Sequence, residues 1–311
     1  MNSLVTGGAG FIGTNLCEAL IKQNHSVTVL DNLSVTSKNI AFLKSLGAEI
    51  VVADISNYNK IKNICKNIDI VFHLAAMNRA QRSIENPRLS NKWNVVGTLN
   101  MLEAARRADV KKFINISSSS VYANVPKGTL LKEDMPLKPR HPYGVDKLAG
   151  EHYTRLYQEL YGLNTITLRY FSVYGPRQLG HIKHAGVIAK FIYKILHNQP
   201  IEIYGDGEQR RNFTYVDDVV DITIKAGFSK VSNEIFNVAS SYEASINQIA
   251  ELIQKTLNRK AQINYTKPKI YEPLENPADI SKLESVFSYK PQTSIEEGIK
   301  KTINWHLTEN G

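Results

Sequence analysis

Only two cysteines, Cys17 and Cys65, occur in 311 residues. Both fall in helix-like stretches without metal-ligand spacing, which excludes a disulfide framework, argues against a zinc site and leaves them as packing residues. No apolar run reaches the roughly 18 residues that a membrane-spanning helix needs. Repeats and low-complexity segments are missing too, apart from one serine tract. The apolar strand SLVT begins almost at the initiator Met, which leaves no space for a secretory leader and sets the expectation of a cytoplasmic protein. Acidic residues are the minority, 29 against 38 Lys and Arg, for a formal charge of +9. Such an excess can signal nucleic acid. Here the lysines are scattered through KSLGAE, KIKNICKN and EEGIKKT, with no basic run and no aromatic platform. A solvated basic surface fits better, attraction of an anionic small substrate stays open, and neither nucleic acid nor membrane is expected as a partner.

What the chain has is an apolar fraction of 42%, enough for a sizeable core. Short apolar runs, SLVT, SVTVL, AEIVV, DIVFHL, KKFINIS and NTITLRY, alternate with amphipathic segments. This pattern predicts an α/β fold, a doubly wound parallel Rossmann sheet whose ligand site lies at the carboxyl ends of the strands. After Arg169 the pattern becomes irregular, with turns at YGPRQ and YGDGEQ around a helix at GVIAKFIYKILHN. That stretch reads as a smaller substrate-binding α/β part interleaved with the sheet.

The first strand runs directly into TGGAGFIG, Thr6 to Gly13, and on into a helix. Gly8, Gly10 and Gly13 satisfy GxGxxG, and Gly7, Gly10 and Gly13 satisfy GxxGxxG. Glycines in a strand–turn–helix setting allow a tight turn, close approach of backbone N–H groups to a pyrophosphate, and close helix–strand packing. Asp31 closes the second strand, where a carboxylate accepts from the adenosine ribose and repels a 2′-phosphate, selecting NAD over NADP; a turn cap before Asn32 is the alternative. Asp54 ends the third strand in VVADI and is placed to accept from the adenine amino group. HLAA, His73 to Ala76, ends the fourth, and the small Ala75 and Ala76 let backbone pass close to the dinucleotide. The expected boundaries are therefore 1–169 plus about 213–238 for the NAD-binding domain and about 170–212 plus 239–311 for the substrate domain.

In HPYGVDKLAGEHY, Tyr143 and Lys147 are four apart in an apparent helix and share a face. A phenol with an ordinary pKa near 10 is a poor base at neutral pH, and lowering it by about three units needs about 4 kcal/mol. One ammonium at about 4 Å, with an effective dielectric near 20, supplies about that much. Lys147 is therefore expected nearly to suffice, with the nicotinamide's positive charge adding to it. A phenolate can accept the proton of a substrate hydroxyl while its hydride leaves for NAD⁺.

Taken together, TGGAGFIG, Asp31, Asp54, HLAA, NVVGTLNML, SSSSVYA, YGVDK, RYFSVYGPRQ, GDGEQRRNFTYVDDVV and ADIS…EEGIKKTINW resemble, in order, the extended short-chain dehydrogenase/reductase family, in particular its nucleotide-sugar epimerases and dehydratases. The resemblance implies a triad of Ser118, Tyr143 and Lys147, with Ser118 matching the family's catalytic Ser or Thr by its place four before Tyr122. It extends the cofactor contacts to Phe11, Ile12, Asn32, Ile55, Leu74 and Tyr170. Ser119 and Ser120 stand where the family's dehydratases carry Asp and Glu and its decarboxylases a Glu. Dehydration and decarboxylation then lack their acid–base pair, and epimerisation at carbon 4 through a 4-keto intermediate remains.

The resemblance also places Arg211 on a nucleotide diphosphate, beside Asn212 where Asp is usual. Val187 lies in the segment near the nucleobase, Ser172 replaces the commoner Asn, and Lys269 aligns loosely with a second phosphate-binding arginine. Asn276 matches a position that gates sugar size and favours the wider pocket. Arg79 and Arg82, after HLAA, fall on the sugar side, where Arg82 resembles an arginine of the N-acetylhexosamine epimerases. Two cations there could equally hold a uronate carboxylate, or face solvent at the start of a helix. The resulting expectation is an NAD-dependent 4-epimerase of a UDP-hexose or UDP-N-acetylhexosamine. The alternatives are a UDP-uronate 4-epimerase, a 4-keto reductase or dehydrogenase (which Asp31 opposes, since reductases prefer NADPH), and a noncatalytic NAD-binding scaffold. Helices containing Val95–Ala105 and Tyr143–Tyr157 correspond to those that form a homodimer contact in relatives.

Overall fold

In the computed structural model, which describes residues 1–122, 125–126, 128–268 and 277–309, the six apolar runs form β1 (Asn2–Thr6), β2 (Ser26–Asp31), β3 (Glu49–Val52), β4 (Ile70–His73), β5 (Lys112–Ser118) and β6 (Thr165–Tyr170). With an edge strand at Glu234–Val238 they make a seven-stranded parallel sheet, ordered edge–β6–β5–β4–β1–β2–β3. Every residue of β4 and β6 is buried, which is why these strands read as unbroken apolar runs rather than alternating ones. β1 pairs with β2 on one side and β4 on the other. The strand order therefore reverses beside β1, the switch point at which sheets of this kind bind ligands at the carboxyl ends of their strands.

The crossovers are α1 (Phe11–Lys22), α2 (Asn39–Ser45), α3 (Tyr58–Ile61), α4 (Ala80–Glu85), α5 (Pro87–Asn91), α6 (Gly97–Arg107) and α7 (Pro142–Tyr161). A π-helical turn, Lys92–Val96, joins α5 to α6. Met101, Leu102, Ala104 and Ala105 of α6 pack with Leu4, Leu30, Val71 and Phe113 of the strands to form one face of the core. Cys17 and Cys65 are free and buried, and burial pushes the Cys65 thiol up to about 12. Among the described residues no helix is long and apolar enough to cross a membrane.

The chain divides into two compact units. The first is Met1–Ala123, Leu137–Arg169 and Val220–Phe236; the second is Asn124–Pro136, Tyr170–Val219 and Asn237–Gly311. Two segments assigned to the cofactor domain from sequence, 124–136 and 213–219, thus belong to the second unit. Their pairing explains why. Leu131 donates to the Pro277 carbonyl at 2.7 Å and accepts from Asp279 at 2.9 Å, while Thr214 and Tyr215 pair in parallel with Val173 and Tyr174. Such partners, distant in the chain, are invisible to local pattern.

Within the second unit, Ile201–Tyr204 pairs in parallel with Ile263–Thr266 and Arg210–Asn212 antiparallel with Glu243–Ser245. The helix Ile246–Leu257 begins at a reciprocal capping box between Ser245 and Gln248. Asp218 accepts from the backbone of Gln292 at 3.0 Å and Thr293 at 3.2 Å, tying down the approach to the C-terminal helix Ile295–Glu309.

Candidate active site

The glycine turn is built as a cradle. Gly7 has φ +69°, and a Cβ there would stand 2.9 Å from the backbone N and Cα of Ala75. At Gly13 a Cβ would meet the Gly7 carbonyl at 2.2 Å. Gly10 is the N-cap of α1 and supplies no capping side chain, so the first-turn N–H groups of Phe11, Ile12 and Gly13 are left without a side-chain cap. Uncapped donors at the positive end of a 12-residue helix suit an anionic pyrophosphate. Asp31 closes β2 and accepts from Ala9 of the turn at 3.1 Å and from Leu33 at 2.8 Å. Burial holds its carboxyl above the usual range despite these bonds. The donor set and the glycine cradle fit a dinucleotide.

Around this cradle the remaining cofactor candidates are held firmly. The Asp54 carboxylate accepts from Ser56 N and Oγ at 2.8 and 2.7 Å, Trp93 Nε1 at 3.0 Å and Asn32 Nδ2 at 3.5 Å. Burial opposes its charge, but these donors prevail and hold the group below its ordinary value. Ile55 is buried, and its carbonyl accepts from Asn100. Thr6 Oγ1 accepts from Ala75 N at 3.1 Å and donates to His73 Nδ1 at 2.9 Å. Thr98 donates to the Asn94 carbonyl, so His73 Nε2 donates to Thr98 at 3.0 Å. The network assigns His73 as the neutral Nε2–H tautomer. Burial first, then the charge of Lys147, pushes this imidazole down to about 3. Leu74 N donates to the Thr6 carbonyl, which together with the Ala75 bond presents the HLAA backbone beside Gly7. Tyr170, at the end of β6, is buried and belongs to the second unit.

The serine tract is divided among tasks by its position at the end of β5. Ser117 points inward and donates to Glu151. Ser118 caps a 3₁₀ turn, Ser119–Val121, by accepting from Ser120 N at 3.2 Å, and its hydroxyl acts on the Tyr143 phenol in the sense that favours the phenolate. Helix α7 reaches this turn because residue 144 is glycine: a Cβ there would stand 2.4 Å from the Ser120 carbonyl. His141 Nδ1 caps α7 by accepting from Gly144 N at 3.2 Å, and Tyr143 N donates to Ser83 Oγ of α4 at 3.0 Å. The first turn of α7 is thus capped by His141, anchored to α4 and packed against the tract at Gly144.

Lys147 corrects one expectation. Its ammonium lies 6.0 Å from the centroid of the Tyr143 ring and donates to the Ile116 carbonyl at 2.7 Å. Burial lowers it to about 8, against the pull of Glu151 and Asp146. The Tyr143 phenol stays above its ordinary value, because burial outweighs the Ser118 bond and the nearby Arg79 charge. Residue spacing conveys the lysine's attraction, whereas the desolvation that both groups undergo arises only once the site is assembled.

The Arg82 guanidinium lies over the Trp93 ring, 5.6 Å from its centroid, and the same indole donates to Asp54. Arg79 stands at the N-cap of α4 with φ +79°, near Tyr143. In the second unit, Arg211 lies in the strand Arg210–Asn212, Val187 opens the helix Val187–Leu196 behind the uncapped Gly186, and Ser172 has φ +34°. Asn212 is structural: it donates to the Ser240 carbonyl and accepts from Ala278 N. Lys269 and Asn276 lie outside the described residues.

Two groups were missed from sequence. Trp93 has no recognisable motif, since its reach to Asp54 depends on the π turn. The second is a buried network behind Lys147, in which Arg169 Nε and Nη2 donate to Glu151 at 2.9 and 2.7 Å and Nη1 donates to Tyr122 Oη at 2.7 Å. Glu151 was legible as the next residue on the Tyr143–Lys147 face, four further on.

Residues 3–239 match the NAD dependent epimerase/dehydratase family. The chain is 40% identical over 308 residues to a putative UDP-glucose 4-epimerase of Methanocaldococcus jannaschii, covering 99% of both. It is also similar to the crystal structure of UDP-glucose 4-epimerase of Thermotoga maritima with UDP-glucose, at TM-score 0.95 and 33% identity, covering 100% of each chain. A third likeness is to UDP-glucuronic acid 4-epimerase of Bacillus cereus in complex with UDP-glucuronic acid and NAD, at TM-score 0.92 and 34% identity, covering 99% of this chain and 100% of that one.

Proposed function

The chain belongs to the NAD-dependent epimerase/dehydratase family, and from that premise we propose that it is a UDP-sugar 4-epimerase acting on a UDP-hexose or UDP-N-acetylhexosamine through a 4-keto intermediate. The observation that carries this reading is the convergence of Ser118 and Tyr143 at the end of β5, where the serine hydroxyl favours the phenolate, followed by Ser119 and Ser120 where elimination or decarboxylation would need a carboxylate. Bound NAD supplies a hydride acceptor, and then a donor, at carbon 4, so the cycle is redox-neutral. Tyr143 takes the proton of the 4-hydroxyl and later returns it. Ser118, beside the phenol, orients that hydroxyl. Lys147, cationic below about pH 8, holds positive potential beneath the ring. Gly7, Gly10, Gly13, Asp31 and the HLAA backbone hold the dinucleotide, while Arg211, Ser172 and Val187 are assigned to the UDP moiety.

Incubation of the purified protein, without added NAD, with UDP-glucose, UDP-N-acetylglucosamine and UDP-glucuronate tests this. Proton NMR of the anomeric region is expected to show a galacto isomer from the hexose or the N-acetylhexosamine. No conversion of any of them, with NAD bound to the protein, would overturn the assignment.

We also infer a homodimer. Val96 before α6 and Val145, Leu156, Leu160 and Tyr161 on α7 are large apolar side chains between 38% and 66% exposed, an apolar set that association would cover. Light scattering at micromolar concentration is expected to give the mass of two chains, and a monomeric mass would refute the dimer.

A further inference from the structure

We propose that Trp93 is a positioning residue for the base of the cofactor: its indole N–H fixes the Asp54 carboxylate so that one oxygen stays open to the adenine amino group, which selects an adenine dinucleotide over its 6-oxo counterpart. The inference rests on the reading of Asp54 as the acceptor of that amino group.

The geometry lies in how the carboxylate uses its lone pairs. Two ionised oxygens offer about four acceptor positions. Oδ1 takes two short bonds from one neighbour, Ser56 N at 2.8 Å and Ser56 Oγ at 2.7 Å. Oδ2 takes one such bond, from Trp93 Nε1 at 3.0 Å. Its other contact, Asn32 Nδ2, stands at 3.5 Å, the outer limit of a hydrogen bond. Oδ1 is thus filled, while Oδ2 keeps one acceptor position whose direction the indole sets. Burial opposes the charge, but the Ser56, Trp93 and Asn32 donors outweigh it, so at neutral pH the group only accepts.

The indole is itself held in place. It projects from the π turn Lys92–Val96, a geometry that occurs mostly at functional sites. The next residue, Asn94, pins that turn to the segment after β4: its amide oxygen accepts from Met77 N at 2.7 Å, and its amide nitrogen donates to the Met77 carbonyl at 3.0 Å. The Arg82 guanidinium of α4 covers the ring at 5.6 Å from its centroid, within reach of a cation–π contact. A ring anchored at its root and covered on a face has little freedom to turn its one polar group away from Asp54.

The position suits the base and not the reacting ring. Ala53 N, beside Asp54, donates to the Asp31 carbonyl at 3.1 Å, so both carboxylates stand on the β2–β3 side of the switch point, whereas Ser118 ends β5 on the other side. Nicotinamide hypoxanthine dinucleotide differs from NAD in carrying an oxygen in place of the amino group and a proton on N1. A fixed carboxylate facing the amino position meets that oxygen and repels it. A carboxylate free to turn reaches the N1 proton instead, and discrimination is lost.

For the test, the holoprotein is equilibrated with an equimolar excess of the two dinucleotides, cleared of unbound cofactor and denatured, and the released dinucleotides are separated and quantified by absorbance. Their ratio reads preference, independently of stability and turnover. Wild type is expected to prefer NAD, and Trp93→Phe to lower that preference about tenfold, the size of a lost hydrogen bond to a charged acceptor. A second protein carries benzothienylalanine at position 93, a tryptophan isostere with sulfur in place of N–H. It keeps the ring and the Arg82 contact, and should lose the preference to the same extent. An isostere that keeps the wild-type ratio overturns the proposal, whatever Trp93→Phe does, because Trp93 then acts by packing alone. Asp54→Asn examines the reading beneath: it is expected to remove the preference by itself, with Trp93→Phe adding nothing further. If Asp54→Asn keeps the wild-type ratio, the amino group is bound elsewhere and the reading of Asp54 falls, an outcome distinct from the failure of Trp93.

Discussion

Tyr143→Phe is expected to lower kcat by about 10³-fold, within the range that a lost general base accounts for. Bound NAD and the KM for the UDP-sugar should stay within about threefold of wild type, as when an interaction made only in the transition state is removed. Only the phenolic oxygen is deleted. The ring keeps its place because the anchors of this turn are backbone groups: Tyr143 N on Ser83 at 3.0 Å and Gly144 N on His141 at 3.2 Å. Gly144 still lies against the Ser120 carbonyl, and Ser118 keeps its bond to Ser120 N. What disappears is the acceptor for the sugar proton, and no other described group on this edge can replace it. Ser119 and Ser120 are ordinary hydroxyls, His141 caps a helix, and Lys147 is a donor to Ile116. Initial rates by NMR, with NAD content measured on the denatured protein, check the result. A variant that kept more than about a tenth of the wild-type rate would mean that the proton leaves by another route.

The readable parts of this molecule are those whose causes are local. The glycine spacing is legible because Gly7 needs a positive φ and Gly13 a missing Cβ, and both demands fall on one short turn. The strands are legible as short apolar runs, unbroken in β4 and β6 because both of their faces are buried. Tyr143 and Lys147 are legible because a helix repeats every three to four residues, and the same period pointed onward to Glu151. The unreadable parts depend on distant partners or on backbone that leaves regular geometry. Leu131 belongs with Pro277 and Asp279, and nothing near residue 131 announces that. Trp93 reaches Asp54 from a π turn, and Arg79 opens α4 with φ +79°, neither of which composition encodes. The phenol's pKa failed for a different reason: pairwise attraction can be guessed from spacing, whereas desolvation is a property of the assembled site.

Glu151→Gln is expected to destabilise the fold by about 3–5 kcal/mol, the usual cost of stranding one member of a buried ion pair. The thermal midpoint should fall by about 10 °C. Arg169 and Glu151 are 2% and 3% exposed and meet through two hydrogen bonds, so the stranded guanidinium would have no water to turn to. A merely structural pair would end there, but this one stands behind the active site. Glu151 is a negative charge that raises the Lys147 ammonium against its burial, and Ser117, one residue before Ser118, donates to it. Neutralising it should lower Lys147 from about 8, so the alkaline limb of kcat, where the lysine loses its proton, moves to lower pH. The double variant Glu151→Leu with Arg169→Met separates the two effects. Replacing both charges by apolar groups of similar volume should recover most of the stability, since neither is then stranded. The displaced alkaline limb should persist, because Lys147 still lacks its carboxylate. If the double variant restored the wild-type profile along with the midpoint, Glu151 would act on catalysis only through packing, and the electrostatic link between β6 and the catalytic lysine would fail.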